Sequence, residues 1–155
     1  MSNATAGTSP RYLAPDRFTR WVFNPAVRGL ARLGLGPWGA RELRVLGRAS
    51  GEWRSTPVNP LMIDGRRYLV APRGETQWVR NLRVAGGGEL RNGRRTTPFT
   101  ATEVADADKV DVLRAYLRKW KWEVGTFFDG VGPDDDDATI LAAAAKHPVF
   151  AIADL

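Results

Sequence analysis

GRASGEWRSTPVNPL, residues 47–61, is the stretch on which the reading of this chain turns. Arg48 and Arg54 bracket a Ser50-Gly51 turn, and the chain then enters a proline-flanked strand, Pro57 to Leu61. Such a turn can hold an anion. The arginines supply guanidinium forks, Ser50 a hydroxyl, and Gly51 lets backbone approach closely. A charge-assisted hydrogen bond to such an anion is worth about 1.5–3 kcal/mol, so two arginines can dominate the affinity for a phosphate. The plainer alternative is a hairpin turn with both arginines solvated.

Further along, APRGETQWVRNL (71–82) repeats the theme: a strand end, Arg73, Gly74, then a short helix carrying Trp78 and Asn81. Taken alone, Trp78 reads as a core tryptophan and Asn81 as helix surface. Taken with the first stretch, they suggest a site for a large anionic ligand with an aromatic part.

The distribution of charge supports this. The chain carries 19 Arg against 4 Lys, and its net charge is +6. Residues 41–95 hold 12 Arg and 5 acidic residues, a local excess of +7, so the remainder is close to neutral. Arginine favours planar, bidentate contact with carboxylate or phosphate, whereas lysine acts as a point charge. The basic excess thus coincides with the anion motif.

The 155 residues suit one domain with a real core, and a hydrophobic content of 43% with 26% charged residues is ordinary for a soluble globular protein. Absence of cysteine excludes disulfides and thiolate chemistry. A single histidine, His147, excludes a multi-histidine metal site, and no serine stands in a G-x-S-x-G context. No metal is expected. No apolar run approaches the length of a membrane span, and the first residues lack the pattern of a signal peptide. The expected location is cytoplasmic.

Along the chain, 1–14 read as a disordered leader and 15–155 as one domain. Residues 15–34 look helical in two pieces around Pro25, with a stripe of Phe18, Trp21, Val22, Val27, Leu30 and Leu33. Flanking arginines leave two readings: a helix packed on a barrel, or a basic amphipathic anchor on a membrane surface or over the ligand site. Strands follow at about 42–48, 57–63 and 66–72, the last two joined at Asp64-Gly65. A helix over 74–84 stops at Gly86-Gly87-Gly88. A hairpin over 88–104 turns at Asn92-Gly93.

Asp106 or Asp108 can cap a helix presenting Val110, Leu113, Leu117 and Trp120 on one face. Asp134 to Asp137 suit the start of another, and read as a solvated acidic cap. VFAIADL closes the chain as a strand. About six antiparallel strands with flanking helices point to an α+β fold, a small closed or split antiparallel β-barrel.

Trp122, Phe127 and Phe128 lie beyond the helix stripe, where they either line a pocket or bury themselves. His147, before a proline at a strand entry, reads as structural.

The paired stretches GRASGEWRSTPVNPL and YLVAPRGETQWVRNL resemble the deazaflavin-dependent nitroreductase family, also described as F420-dependent quinone and nitro-reductases. The pattern there is G-R-x-[ST]-G-x-x-R-x-x-P, a strand ending in A-x-[KR]-G, then W-x-x-N-L. The similarity covers residues 40–105. It implies a split β-barrel binding coenzyme F420, with FMN the less favoured cofactor. Arg48, Ser50, Gly51 and Arg54 would meet the phosphate region. Pro57, Val58 and Asn59 would edge the ring, and Arg73, Trp78 and Asn81 would line the cleft.

The resemblance further implies an enzyme that passes a hydride from reduced deazaflavin to an apolar, electron-poor acceptor such as a quinone, enone or nitro compound. Ala49 stands where relatives often carry a second basic residue, and Pro72 where the nitroreductase has a serine. The family's substrate-side tyrosines have no evident counterpart; Trp122, Phe127 and Phe128 occupy that region and form the expected substrate pocket. No catalytic side chain is assigned. Two rivals remain: a non-catalytic deazaflavin-, FMN- or haem-binding barrel, and a basic single-stranded nucleic-acid-binding module. The charge clusters at one turn and is not interleaved with aromatics along strands, which disfavours nucleic acid.

Overall fold

A computed structural model describes residues 40–155. The expected leader and the helix over 15–34 lie outside those residues. The rest forms seven antiparallel strands and three helices. β1 (Arg41–Leu46) turns Leu43 and Val45 inward and pairs with β2 (Trp53–Val58), from Arg41 opposite Val58 to Leu46 opposite Trp53. The loop between them closes on backbone bonds from Gly47 N–H to Glu52 O (2.7 Å) and Gly51 N–H to Gly47 O (2.9 Å). Gly51 adopts φ +69°, a conformation that costs glycine little.

The expected strand over 57–63 is in fact two. β2 begins earlier, at Trp53, and ends before Asn59-Pro60; β3 (Leu61–Ile63) follows. Pro60 has no N–H to continue a ladder, which separates them. β3 pairs with β4 (Arg66–Val70) across Asp64-Gly65. The strand count is therefore seven, one above expectation.

Helix α1 (Gln77–Ala85) starts three residues later than Gly74 and buries Val79, Asn81 and Leu82. β5 (Gly87–Asn92) and β6 (Arg95–Glu103) form the expected hairpin. Gly86 ends the helix, but Gly87 and Gly88 already belong to β5. A Cβ on Gly88 would stand 2.5 Å from the Arg44 carbonyl oxygen, and one on Gly87 would strike that of Phe99. These glycines permit close strand approach as well as stopping a helix.

Asp106–Asp108 form a 3-10 turn ahead of α2 (Val110–Val124). Neither aspartate caps the helix. Asp106 instead pairs with the buried Lys109 ammonium (2.6 Å), which also donates to the Ala144 carbonyl at 2.9 Å. In α3 (Asp137–Ala144) the cap is Asp136, whose side chain accepts from Thr139 N–H at 2.8 Å. That bond holds the Asp136 carboxyl below the usual range. β7 (Val149–Asp154) ends the chain between β6 and β4.

The strand order is β2-β1-β5-β6-β7-β4-β3. The two edge strands, β2 and β3, are consecutive in sequence and joined only by Asn59-Pro60. The curled sheet is thus a split barrel, open between its edges. One core cluster, with Leu43, Phe99 and Phe150, lies under α1. The other, with Leu113, Leu117, Trp120 and Ile140, lies under α2 and α3. Among the described residues no helix is long and apolar enough to cross a membrane, and no group of three or more His, Asp or Glu could hold a metal.

Candidate functional site

A cavity of about 560 Å³ occupies the opening of the barrel, a size typical of small-molecule sites. It draws on both core clusters, through Val45 and Ala71 on one side and Val70 and Tyr116 on the other. Four segments deliver most of its polar groups: the β1–β2 loop, β2 with Asn59 beyond it, the segment after β4, and the first turns of α1.

Arg48 stands in the loop. Its guanidinium Nη1 donates to Gln77 Oε1 (2.9 Å) and Asn81 Oδ1 (2.8 Å), and its backbone N–H donates to the same Asn81 oxygen at 3.1 Å. Asn81 is nearly buried, 4% exposed. It belongs to the site as the brace that fixes Arg48. Both side chains that accept from Arg48 are neutral amides, so its positive charge is positioned without being cancelled.

Ser50 Oγ accepts from Glu52 N–H at 3.2 Å, closing the turn while its own hydrogen remains able to donate. Gly51 shapes the turn but does not line the cavity. Arg54, Pro57, Val58 and Asn59 line it from β2 and the residue beyond. After β4 the chain turns through Gly74, with Gly74 N–H bonded to Ala71 O at 3.2 Å, and places Arg73 in the wall. Trp78 serves two readings at once: it packs on Phe150 (ring centroids 6.1 Å apart) and also lines the cavity.

The cavity lining contains three arginines and, among the described residues, no carboxylate. An apolar wall of Val58, Val70, Pro72 and Trp78 continues from the arginines. Such a cleft can take a ligand that is anionic at one end and flat and apolar at the other.

The expected substrate-pocket residues are elsewhere: none of Trp122, Phe127 and Phe128 lines the cavity. Trp122 follows Trp120 by two positions on α2, which carries it to the opposite face, and it is 61% exposed. Phe127, in a 3-10 turn, and Phe128 are core residues. Phe128 stacks on His147, their centroids 3.9 Å apart. His147 is fully buried and its Nδ1 lies 3.0 Å from the Pro72 carbonyl oxygen. It is structural, as expected, and supports the cavity wall from behind. It does not line the cavity, which leaves ligation of a haem there without a basis.

The α2 residue that does reach the cavity is Tyr116. The sequence hid it, because Tyr116 falls on the helix face of Leu113, Leu117 and Trp120, all core residues. Thr76 and Gln77, at the start of α1, were also missed as lining residues. The helix begins at Gln77 and not at Gly74, and that later start, seen only in the structure, leaves both at the wall.

A model of the family described as F420H(2)-dependent quinone reductase matches residues 38–123. Comparison with curated proteins gave no match. Among solved structures, one described as an F420-H2 dependent reductase aligns with a TM-score of 0.53 and 16% identity, over 74% of this chain and 94% of that one. A conserved hypothetical protein from Mycobacterium tuberculosis aligns with a TM-score of 0.51 and 15% identity, over 86% of this chain and 82% of that one. At these identities the structural likeness speaks to the fold.

Proposed function

This chain belongs to the F420H2-dependent quinone reductase family, and from that premise we propose that it reduces an apolar, electron-poor acceptor with coenzyme F420, a quinone foremost and an enone or nitro compound as further candidates. The observation that carries this reading is the cavity itself: Arg48, Arg54 and Arg73 with no lining carboxylate, next to an apolar wall.

The residues fit that cofactor by charge and shape. A phosphate and oligoglutamate tail is polyanionic and suits guanidinium groups such as that of Arg48, which only neutral amides hold. A flat ring suits the wall of Pro57, Val58 and Trp78. When bound in reduced form, the cofactor supplies a hydride, and the protein's part is to bind, orient and exclude water. The Asn81 brace sets the direction of the Arg48 fork before a ligand arrives, which lowers the ordering cost of binding. The same apolar wall would suit an uncharged acceptor and disfavour bulk water. FMN, with a single phosphate, would use fewer of the cationic contacts.

The test is titration of the purified protein with F420 at low and high salt, followed by quenching of tryptophan fluorescence. Tight binding that weakens with salt is expected. No binding at low salt overturns the reading.

A further inference from the structure

Arg73 reaches the cavity wall from a tight turn. Gly74 N–H donates to the Ala71 carbonyl at 3.2 Å, which closes Ala71-Pro72-Arg73-Gly74 as a β-turn with Pro72 and Arg73 at its centre. The ring of Pro72 fixes its own φ, and Gly74 takes φ +91°. The peptide between Pro72 and Arg73 can stand in two senses. One of them, type II, demands a left-handed φ at the second central residue, and Arg73 does not have it. The Pro72 carbonyl therefore points as in a type I turn.

His147 meets that carbonyl. β4 and β7 pair as far as Val70 opposite Val149, and beyond them Ala71 N–H donates to the Pro148 carbonyl at 2.9 Å. Pro72 has no N–H, so it has no donor to carry the backbone ladder further. A side chain takes over: His147 Nδ1 lies 3.0 Å from the Pro72 carbonyl oxygen. A carbonyl only accepts, so Nδ1 carries the proton of this bond. The imidazole is itself fixed. It is fully buried and stacks on Phe128 at 19° between planes, and its backbone N–H donates to the Ala144 carbonyl at 3.2 Å. An apolar side chain could fill the same space against Phe128. The donor is what sets histidine apart here, since a buried polar group is costly unless it is bonded.

We propose that His147 is a positioning residue for cofactor binding: its Nδ1–H locks the Pro72–Arg73 peptide and so holds Arg73 where an anionic group of the deazaflavin can meet it. This rests on the reading of the chain as an F420-dependent reductase. His147 does not line the cavity, so it acts through the turn and not by contact with the ligand. Rotation of the central peptide toward the type II sense would take the Pro72 carbonyl away from the imidazole and re-aim the backbone that carries Arg73. The bond opposes that rotation before a ligand arrives, which lowers the ordering cost of binding.

The test is a double-mutant cycle on F420 affinity, with the full chain. His147→Phe keeps a ring against Phe128 and removes the donor. It should weaken F420 binding by about 5- to 10-fold, the worth of about one neutral hydrogen bond. In an Arg73→Gln background the same change should have little further effect, whereas in an Arg54→Ala background its full effect should persist. A merely structural role would lower affinity alike in both backgrounds. His147→Asn brings an amide N–H close to the place of Nδ1 but gives up the stack. It should bind F420 more tightly than His147→Phe while being the less stable of the two in urea.

The wild type gives a reading that needs no variant. His147 is the only histidine, so its ¹⁵N signals need no assignment. Their coupling pattern should place a proton on Nδ1; a proton on Nε2 alone overturns the bond and the proposal. Failure of the wild type to bind F420 overturns the reductase reading and this role with it. Normal F420 binding by the wild type overturns the role of His147 alone if His147→Phe binds equally well, if its loss is the same in both backgrounds, or if His147→Asn binds no better than His147→Phe.

Discussion

Arg48 and Asn81, 33 positions apart, are joined twice through one atom: the Asn81 Oδ1 accepts from the Arg48 guanidinium at 2.8 Å and from the Arg48 backbone N–H at 3.1 Å. The loop between β1 and β2 is thereby fastened to α1, and a cation is fixed at the cavity wall. The bond is polar but not ionic, which gives it a specific consequence. Asn81→Asp would keep an oxygen acceptor and strengthen the bond to Arg48 while cancelling its charge. Stability in urea should be unchanged or higher, yet F420 affinity should fall. Asn81→Ala should lower both, costing about 1–3 kcal/mol of stability by leaving buried partners unsatisfied. A drop in stability for Asn81→Asp, with affinity retained, would mean that Asn81 serves the fold alone.

Arg54 offers the complementary measurement. It lines the cavity from β2 and is exposed, so removing it disturbs little of the core. Arg54→Ala should leave the urea midpoint in place and weaken F420 binding by roughly 10- to 100-fold, the equivalent of one lost charge-assisted hydrogen bond. Calorimetric titration at several salt concentrations should show a shallower salt dependence than in the wild type, since one fewer cation meets the ligand.

Much of this was legible in the sequence, for identifiable reasons. Asp64-Gly65 sits between apolar runs and Asn92-Gly93 is itself a tight-turn pair, so both hairpins could be placed. Nine of the ten residues expected around the cofactor line the cavity, Gly51 being the exception. Their motif is local, and local backbone geometry fixes where they point. What was not legible depends on tertiary contact. Asn81 reads as helix surface until the β1–β2 loop is laid over it. Tyr116 and Phe128 cannot be sorted into cavity and core by periodicity, because both are apolar-facing; only the sheet decides which one borders the opening. Trp122 looked like a pocket residue because bulky aromatics cluster around it, although its helical phase turns it outward.

Gly88 tests the close approach of β5 to β1. A Cβ there would lie 2.5 Å from the Arg44 backbone oxygen, and backbone cannot swing aside as a side chain can. Gly88→Ala should cost about 1–3 kcal/mol, the range for overpacking a close-packed site. Urea denaturation would read this directly. A midpoint equal to that of the wild type would show that the strands separate at no cost.

Asp136 supplies a pH signature away from the cavity. Its carboxylate accepts the Thr139 N–H and so titrates below its ordinary value. A carboxyl depressed in the folded state contributes stability above its unfolded pKa and loses that contribution as pH falls through its folded pKa. Asp136→Ala should therefore lower Tm at neutral pH. The gap from the wild type should narrow in strong acid, below the usual carboxylate range of about 4. A gap independent of pH would mean that the cap does not depend on the charge.

Trp122 and Phe128 separate pocket from core. Trp122 is exposed and its indole N–H donates to the Lys119 carbonyl at 3.2 Å on its own helix, so Trp122→Ala should change neither quinone turnover nor Tm appreciably. Phe128 is buried between Tyr116 and His147. Phe128→Ala removes a core ring and should cost about 3–5 kcal/mol. Its effect should also reach the cavity, because His147 is bonded to the Pro72 carbonyl in the wall and loses the ring that holds it flat. Phe128→Leu, which refills most of the volume, should recover much of the stability but leave F420 affinity reduced. Turnover that collapses in Trp122→Ala, with F420 affinity and Tm intact, would restore the exposed face of α2 as the place where the acceptor lands.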